Sequence, residues 1–165
     1  MKAEVLILMG SDTDLSIMEE AAKILQEFGI GYEMHISSAH RSPKKTSELS
    51  SGAAARGIKV IIAGAGMAAH LAGVVAAETS LPVIAVPLPG GALNGLDALY
   101  AMVQMPGGVP VATMAIGKAG AKNAGLFAVQ ILSVASAPLV RLLEEYKAKL
   151  AAEVAEKDDA LQQQL

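Results

Sequence analysis

The sequence predicts an α/β fold of three layers, in which a five-stranded parallel sheet lies between two layers of helices. Short apolar runs alternate with helix-length amphipathic segments, as happens when each strand is followed by a crossover helix. The runs lack polar alternates, which is typical of parallel strands that are buried on both faces. The chain has 165 residues, a length that suits one domain of this kind.

The first three predicted elements are a strand, a helix and a strand. Val5–Met9 is an uninterrupted apolar run and predicts a fully buried strand. Residues 15–28 carry apolar side chains at helical spacing, and Gly29 is a usual residue just past a helix end. Tyr32–Ile36 follows as the second strand. Because a helix joins these two strands, they are expected to be parallel.

The middle of the chain repeats this pattern. A polar, alanine-containing helix is predicted over 43–56, with Ser42 as its N-cap and a proline as its first residue. Val60–Ala63 is the third strand and runs into Gly64-Ala65-Gly66. A helix then continues through Glu78, which completes a second crossover.

Two more strands complete the predicted sheet, Val83–Val86 and Val109–Met114. A loop rich in proline and glycine and a helix over about 97–103 separate them, and an apolar helix over 119–134 follows. Length and element count favour the strand order 2-1-3-4-5, the flavodoxin-like arrangement.

The whole chain, residues 1–165, is predicted to be a single domain, with a core over about 3–135 and a C-terminal helical arm over about 138–165. Leu143, Tyr146 and Leu150 belong to one apolar stripe of this extra helix. No crossover needs it, so we expect the arm to pack on a neighbouring subunit.

Composition narrows the function classes. Hydrophobic residues make up 53% of the chain and charged residues only 18%, an apolar excess that favours a homo-oligomer. A net charge of −3 and few aromatic residues argue against nucleic-acid binding. The chain has no cysteine, which fits a cytoplasmic protein. The uncharged segments 60–77 and 98–117 are interrupted by glycine or proline, so buried strands and helices are expected rather than membrane spans.

Three loops are expected to converge at one edge of the sheet, because strands two and three flank strand one in the predicted order. Gly10–Asp14 follows the first strand, Ser38–Arg41 the second and Gly64–His70 the third. Together they supply hydroxyls, an imidazole, a guanidinium and glycine amides. Histidine moves protons near neutral pH and arginine holds phosphate in a planar fork, so a phosphorylated small-molecule substrate is indicated.

Each of these features also has a purely structural interpretation. Ser11 and Thr13 at a helix start are typical caps, although the same amides can receive a phosphate. Arg41 can be a solvated charge. His70 lies in an apolar run, so a buried structural histidine is the first interpretation and a secondary site residue, beside Leu71, is the alternative. His35, within a strand, is expected to be structural.

Other chemistries find little support in the sequence. Gly64-Ala65-Gly66 is only half of a dinucleotide fingerprint, although such glycines allow close backbone approach to a flat ligand. The sequence has neither His-Glu-x-x-His nor Gly-x-Ser-x-Gly. We therefore expect no metal site and no serine-hydrolase chemistry.

Taken jointly, several motifs resemble one family. They are Gly10-Ser11 with Asp14, Ser38-Ala39-His40-Arg41-Ser42-Pro43, Gly64-Ala65-Gly66 with Ala68-Ala69-His70-Leu71, Leu81-Pro82-Val83, and Val103-Gln104-Met105-Pro106 with Gly108-Val109-Pro110-Val111-Ala112-Thr113. The chain from about Val5 to Leu132 is similar to the 5-(carboxyamino)imidazole ribonucleotide mutases of purine biosynthesis. The resemblance implies a flavodoxin-like fold, an octamer and transfer of a carboxylate from the exocyclic nitrogen to ring carbon 4.

The resemblance also implies roles for particular residues. His40 would be the proton shuttle, and Ser11, Thr13, Asp14 and Arg41 would hold the ribonucleotide, with Ser38 at the phosphate. Ala65 and Gly66 would line the imidazole and carboxylate pocket. No cofactor is expected, because a carbamate is already an activated carboxyl donor.

The chain departs from the family's usual pattern in a few places, among them Leu15, Met67, Ala72 and the loop Leu88–Gly91, and Asp12 adds a negative charge near the expected phosphate. Two alternatives remain open: a carboxylase that uses aminoimidazole ribonucleotide and free carbon dioxide, and a non-catalytic flavodoxin-like module that binds FMN or a nucleotide. Arg41 and His70 favour the mutase over the carboxylase.

Overall fold

The computed structural model describes residues 2–165 and contains one parallel five-stranded sheet in the predicted order β2-β1-β3-β4-β5. Its strands are β1 (Val5–Met9), β2 (Tyr32–Ile36), β3 (Val60–Gly66), β4 (Val83–Leu88) and β5 (Ala112–Thr113). The predicted fold class is therefore confirmed. β1 pairs with β2 and β3, and this places the carboxyl ends of the three strands side by side.

Helices before Val129 cover both faces of this sheet. The helices of the chain are α1 (Leu15–Glu27), α2 (Pro43–Ser51), α3 (Ala53–Arg56), α4 (Leu71–Glu78), α5 (Leu96–Val103), α6 (Lys118–Ser133) and α7 (Ala137–Gln162), and a 3₁₀ turn, Asp12–Asp14, precedes α1. Side chains of α3, α4 and α5 share one buried cluster with alternate residues of β1, β3 and β4.

On the opposite face, α1 and the part of α6 before Val129 pack closely. A methyl group on Gly125 would lie 2.8 Å from the carbonyl oxygen of Ala21 and 2.9 Å from Ile24 Cβ. The helices meet at a glycine because no larger residue fits between them.

The largest differences from the predicted bounds are in β3, β4, β5 and the helix over 43–56. β3 and β4 run on to Gly66 and Leu88, because the two strands continue to pair there. β5 has only two residues instead of the predicted 109–114; Pro110 has no N–H to donate to a ladder. The predicted helix over 43–56 is divided at Gly52 into α2 and α3.

By its internal contacts the chain divides into two compact units, one ending at Val129 and the other covering Gln130–Leu165. The second unit contains the end of α6 and all of α7. None of the 26 residues of α7, all of which the structure describes, is buried. A single domain with a C-terminal arm stays a prediction. Within residues 2–165, no helix is long and apolar enough to span a membrane.

Candidate active site

A cleft of about 510 Å³ lies at the carboxyl ends of β1, β2, β3 and β4. Its walls include every site residue that the sequence suggested, namely Ser11, Thr13, Asp14, Ser38, His40, Arg41, Ala65, Gly66, His70 and Leu71. The expected convergence of the three loops is thus a feature of the structure. What each residue contributes to a reaction stays a prediction.

The loop after β1 is held by reciprocal hydrogen bonds around Ser11. Asp14 Oδ2 accepts from the Ser11 N–H at 2.9 Å, and Ser11 Oγ accepts from the Thr13 N–H at 3.4 Å. The hydroxyls of Thr13 and Ser11 are 3.0 Å apart, and Ser11 Oγ also donates to Asp12 Oδ1. The interpretation as a cap is therefore correct for Ser11, which caps the 3₁₀ turn, but not for Thr13, which lies within that turn and donates to Ser11. Ser11, Thr13 and Asp14 all line the cleft.

The carboxyl of Asp14, which lines the cleft, has a pKa above its ordinary value. Partial burial raises the pKa of its carboxyl, and this effect outweighs the hydrogen bonds from the backbone of Ser11 and Gly10, which lower the pKa. The Asp12 charge raises the pKa further and the Arg41 charge opposes that. The fold thus holds a carboxylate in a place where ionisation is disfavoured, which is typical of a functional site.

The loop after β2 presents Arg41 to the cleft. The Arg41 N–H donates to Ser38 Oγ at 3.2 Å, and Arg41 Nη2 donates to the Gly10 carbonyl at 3.2 Å. Ser42 stands at the N-cap position of α2, but its hydroxyl accepts from the Ser38 N–H at 2.9 Å and does not cap the helix. The guanidinium of Arg41 therefore links the loop after β2 to the loop after β1.

A pair of buried hydroxyls holds the start of the loop after β2. Ser37 Oγ and Thr46 Oγ1 are 2.8 Å apart, and both residues are fully buried. A buried polar group must find a partner to avoid a large free-energy cost, so this bond fixes the start of the loop against α2. Sequence reasoning missed it, because a lone serine after a strand is not distinctive.

His40 and His70 face each other across the cleft. His40 Nε2 lies 2.8 Å from His70 Nδ1, and the rings meet edge to face with centroids 4.9 Å apart. The first interpretation of His70 as a buried histidine was wrong: both rings are exposed. His70 occupies the position just before α4, so its side chain is free of the helix's apolar face.

The glycines at the end of β3 are explained by neighbouring protein atoms. Gly64 lies against Met18 of α1, and a methyl group on Gly66 would lie 3.2 Å from the Leu88 carbonyl oxygen. The expectation that both glycines admit a flat ligand is thus only partly supported: Gly66 lines the cleft and Gly64 does not. His35 lies outside the cleft, with its Nε2 3.6 Å from Glu33 Oε2.

The loop after β4 was not predicted to belong to the site. Pro89 and Gly90 of this loop line the cleft, together with Gly10, Ala39, Met67 and Ala68 of the three predicted loops. The signal was available for the fourth loop, because β4 lies beside β3 and its proline- and glycine-rich continuation must reach the same edge. Among residues 2–165 there is no group of three or more histidine, aspartate or glutamate side chains placed to hold a metal ion.

Known proteins resemble this chain over most of its length. A model of the family described as AIR carboxylase matches residues 4–153. The N5-carboxyaminoimidazole ribonucleotide mutase of Thermotoga maritima is 55% identical over 157 residues, which cover 95% of this chain and 91% of that protein. The enzyme of the same name from Bacillus subtilis is 54% identical, with 94% of this chain and 96% of that protein covered.

Solved structures show the same architecture. The crystal structure of Treponema denticola PurE matches with a TM-score of 0.84 at 32% identity, covering 95% of this chain and 97% of that one. A second structure, Treponema denticola PurE2-S38D, matches with a TM-score of 0.86 at 31% identity, covering 98% of this chain and 99% of that one. The chain therefore belongs to the AIR carboxylase family.

Proposed function

We propose that this protein is a mutase of purine biosynthesis that converts 5-(carboxyamino)imidazole ribonucleotide to 4-carboxy-5-aminoimidazole ribonucleotide. The observation that carries the proposal is the position of His40 beside Arg41 in a cleft, with His70 2.8 Å from its imidazole. An acid–base group thus lies next to a cation that can hold a phosphate. Relatives that are 55% and 54% identical carry the name of this reaction.

His40 supplies the proton transfers. As an imidazolium it gives a proton to the carbamate nitrogen while the nitrogen–carboxyl bond breaks, which leaves the amine and carbon dioxide. Ring carbon 4, electron-rich because of the amine, then attacks carbon dioxide and forms the new carbon–carbon bond. Neutral His40 removes the hydrogen of carbon 4 and restores the aromatic ring. The proton lent in the first step returns in the last, so one histidine serves both.

His70 acts on this cycle through His40. A hydrogen bond between two imidazole nitrogens requires one of them to carry hydrogen and the other to be bare, so each ring constrains the tautomer and orientation of the other. We assign His70 the part of a positioning residue. Leu71, buried behind it, contributes to the apolar wall.

The remaining cleft residues hold the ribonucleotide. Arg41 and Ser38 bind the phosphate, with Ser11 and Thr13 as further hydroxyl donors. Asp14, whose carboxylate accepts from the Ser11 N–H, accepts from ribose hydroxyls as well. Ala65 and Gly66 form the surface against which the flat imidazole and the migrating carboxylate lie.

No cofactor enters this scheme. Loss of carbon dioxide from a protonated carbamate needs neither ATP nor biotin, because the carboxyl group is already activated. What the protein must contribute is proximity, an acid–base group and a pocket that keeps carbon dioxide beside the ring.

Assembly as a homo-oligomer, with the octamer as the expected number, belongs to the proposal, as does a cytoplasmic location. Leu71, Ala72 and Val75 of the apolar helix α4 are buried within the chain, so these residues offer no surface to another subunit. The larger exposed apolar surface is on α5, where Leu96, Tyr100 and Val103 recur at helical spacing and are 45%, 61% and 51% exposed. α5 and the unburied α7 are the surfaces we assign to subunit contacts.

A carboxylase that uses free carbon dioxide is the second candidate, favoured by the description of the family model. Both enzymes need the same histidine for proton transfer and the same residues to bind the phosphate. A flavin-binding module is less well supported, since no phenylalanine, tyrosine or tryptophan lines the described cleft.

The experiment that tests the proposal uses the purified protein and the N-carboxylated ribonucleotide, without ATP, biotin or added metal. Proton NMR should show the ring carbon 4 hydrogen disappear as the 4-carboxylated product forms. Loss of the carbamate without any 4-carboxylated product would reject the mutase and leave only spontaneous decarboxylation.

A further inference from the structure

Met67 has a backbone conformation that a methionine rarely adopts. Its φ is +53°, in the left-handed region where a Cβ clashes with the following backbone. Two tight turns follow, in which the Ala69 N–H donates to the Met67 carbonyl at 2.9 Å and the His70 N–H donates to the Ala68 carbonyl at 2.8 Å. Strained conformations of this kind concentrate at functional sites, where the surroundings hold them in place.

The Met67 side chain extends from this backbone to the loop after β4. A methyl group on Gly91 would lie 3.4 Å from Met67 Cγ and 3.9 Å from Sδ, so the thioether lies directly on Gly91. Gly91 itself has φ +62°. Pro89 and Gly90, which precede it, line the same cleft as Met67. The methionine therefore connects the loop after β3 with the loop after β4 at the wall of the cleft.

The exposure of this side chain is unusual for its chemistry. Met67 is 60% exposed, although a buried position would lower its free energy. The three rotatable bonds of the Met67 side chain let it adapt its shape to a molecule bound in the cleft. An apolar, adjustable group at the rim of a polar cleft suits a cover better than a ligand-binding contact, because it offers no charge or strong hydrogen bond.

We infer that Met67 covers the cleft during the reaction and thereby sets how much released carbon dioxide is recaptured. The inference rests on the proposed mutase function. Carbon dioxide is uncharged and small, so no ion pair can hold it, and only enclosure keeps it beside ring carbon 4 until the new bond forms. Removing the cover should let carbon dioxide exchange with the solvent before recarboxylation.

The test follows the fate of the carboxyl group. The wild type and three variants are given substrate with a ¹³C-labelled carbamate in unlabelled bicarbonate buffer, and the label retained in the product is measured by mass spectrometry. Met67→Ala keeps the strained backbone and loses the cover, and Met67→Gly loses both. Met67→Leu keeps a side chain of similar volume. We expect Met67→Ala and Met67→Gly to retain several-fold less label than the wild type, and Met67→Leu to match it.

Each other outcome overturns the inference. Equal retention in Met67→Ala and the wild type would show that the side chain does not enclose carbon dioxide. A change in Met67→Gly alone would assign the effect to the backbone conformation. If Met67→Ala altered the assembly state in light scattering and left retention unchanged, the side chain would be a subunit contact. Absence of product from the wild type would instead reject the proposed function itself.

Discussion

His40 and His70, thirty residues apart in the chain, share a hydrogen bond of 2.8 Å between Nε2 of the first and Nδ1 of the second. The bond exists because β3 lies two positions from β2 in the sheet, so that the loops after these strands meet above β1. His40 comes from the loop that also carries Arg41, to which we assign phosphate binding, and His70 directly precedes α4. The hydrogen bond between the two histidines therefore joins the two loops into one site.

Replacement of His40 is expected to abolish most of the activity. His40→Asn should fold as the wild type does and lower kcat by about 10²–10⁴-fold, because that is the usual contribution of a positioned acid–base group. Steady-state turnover of the N-carboxylated ribonucleotide measures it. The matched control is His35→Asn, since His35 lies outside the cleft beside Glu33 and its loss should leave kcat unchanged. Near-full activity of His40→Asn with an inactive His70→Asn would reverse the two roles.

Replacement of His70 is expected to have a smaller effect of a different kind. His70→Leu removes the partner of His40 and should lower kcat by roughly 10–100-fold, as when an outer partner of a functional imidazole is lost. It should also change the pH dependence of kcat, while substrate KM changes little. His70→Asn retains a polar group and should recover part of the rate.

A double variant separates positioning from independent catalysis. If His70 acts through His40, His40→Asn with His70→Leu should be no slower than His40→Asn alone, because the partner to be oriented is already missing. Multiplication of the two losses would mean that His70 has a separate catalytic function.

The charge of Arg41 alone should not be sufficient for substrate binding. Arg41→Lys keeps the charge but replaces a planar fork by a point charge, and Lys does not reproduce the bond to the Gly10 carbonyl together with a bidentate phosphate contact. We expect about tenfold weaker binding of the ribonucleotide, equivalent to about 1.4 kcal/mol, as measured by calorimetry. Lys44→Arg is the control, because Lys44 lies three residues later in the first turn of α2 and its side chain is 91% exposed. Unchanged affinity in Arg41→Lys would exclude a bidentate contact between the Arg41 guanidinium and the phosphate.

The raised pKa of Asp14 predicts a pH-dependent cost in stability. Because burial raises the pKa above its ordinary value of 3.8, the folded state binds this proton more tightly than the unfolded state. Stability therefore falls as the pH rises from the ordinary value through the raised one, and the cost is constant above that. Asp14→Asn removes the ionisation and keeps an oxygen that can accept from Ser11.

Urea unfolding at pH 7 and at pH 3, at one protein concentration, measures this cost. Asp14→Asn should be more stable than the wild type at pH 7, and the difference should shrink at pH 3. At neutral pH, Asp14→Asn should bind the ribonucleotide more weakly than the wild type, since a neutral amide accepts more weakly from ribose hydroxyls. If Asp14→Asn gained less stability over the wild type at pH 7 than at pH 3, the predicted effect of the raised pKa on stability would have the wrong sign.

The exposed apolar stripe of α5 predicts association of subunits. Tyr100→Glu places a charge at the centre of the stripe and should shift the protein toward smaller species in light scattering, because a desolvated charge in an apolar contact is costly. Glu27→Lys, at an exposed position of α1 and so on neither α5 nor α7, is a comparison for general charge effects. A wild type that is fully active as a single chain of 16.8 kDa would contradict the assigned assembly.

The predictable elements are those in which one local signal dominates. The bounds of β1 and β2 agree with the predicted ones because a strongly apolar or β-favouring run is followed at once by glycine or serine. The position of the cleft also followed from the sequence, since the strand order alone brings the three loops together. By contrast, β5 was predicted too long because its apolar residues contain Pro110, which cannot donate to the neighbouring strand.

The interpretation of His70 failed for a reason of geometry. Its neighbours in the chain are apolar, so periodicity placed it on a buried helix face, whereas α4 begins one residue later and leaves the imidazole at the helix start. The exposed stripe of α5 was missed for a related reason. A pattern identifies an apolar face, but only the packed chain determines whether that face is covered by the same subunit.

We propose that a carboxyl group already present on the substrate moves from nitrogen to ring carbon 4 while His40 shuttles the proton. The most direct measurement compares turnover of the N-carboxylated ribonucleotide with that of the uncarboxylated amine, at low bicarbonate and without ATP. The account predicts rapid 4-carboxylation of the first substrate and little reaction of the second. Equal or faster turnover of the amine with dissolved carbon dioxide would contradict the account and identify the protein as a carboxylase.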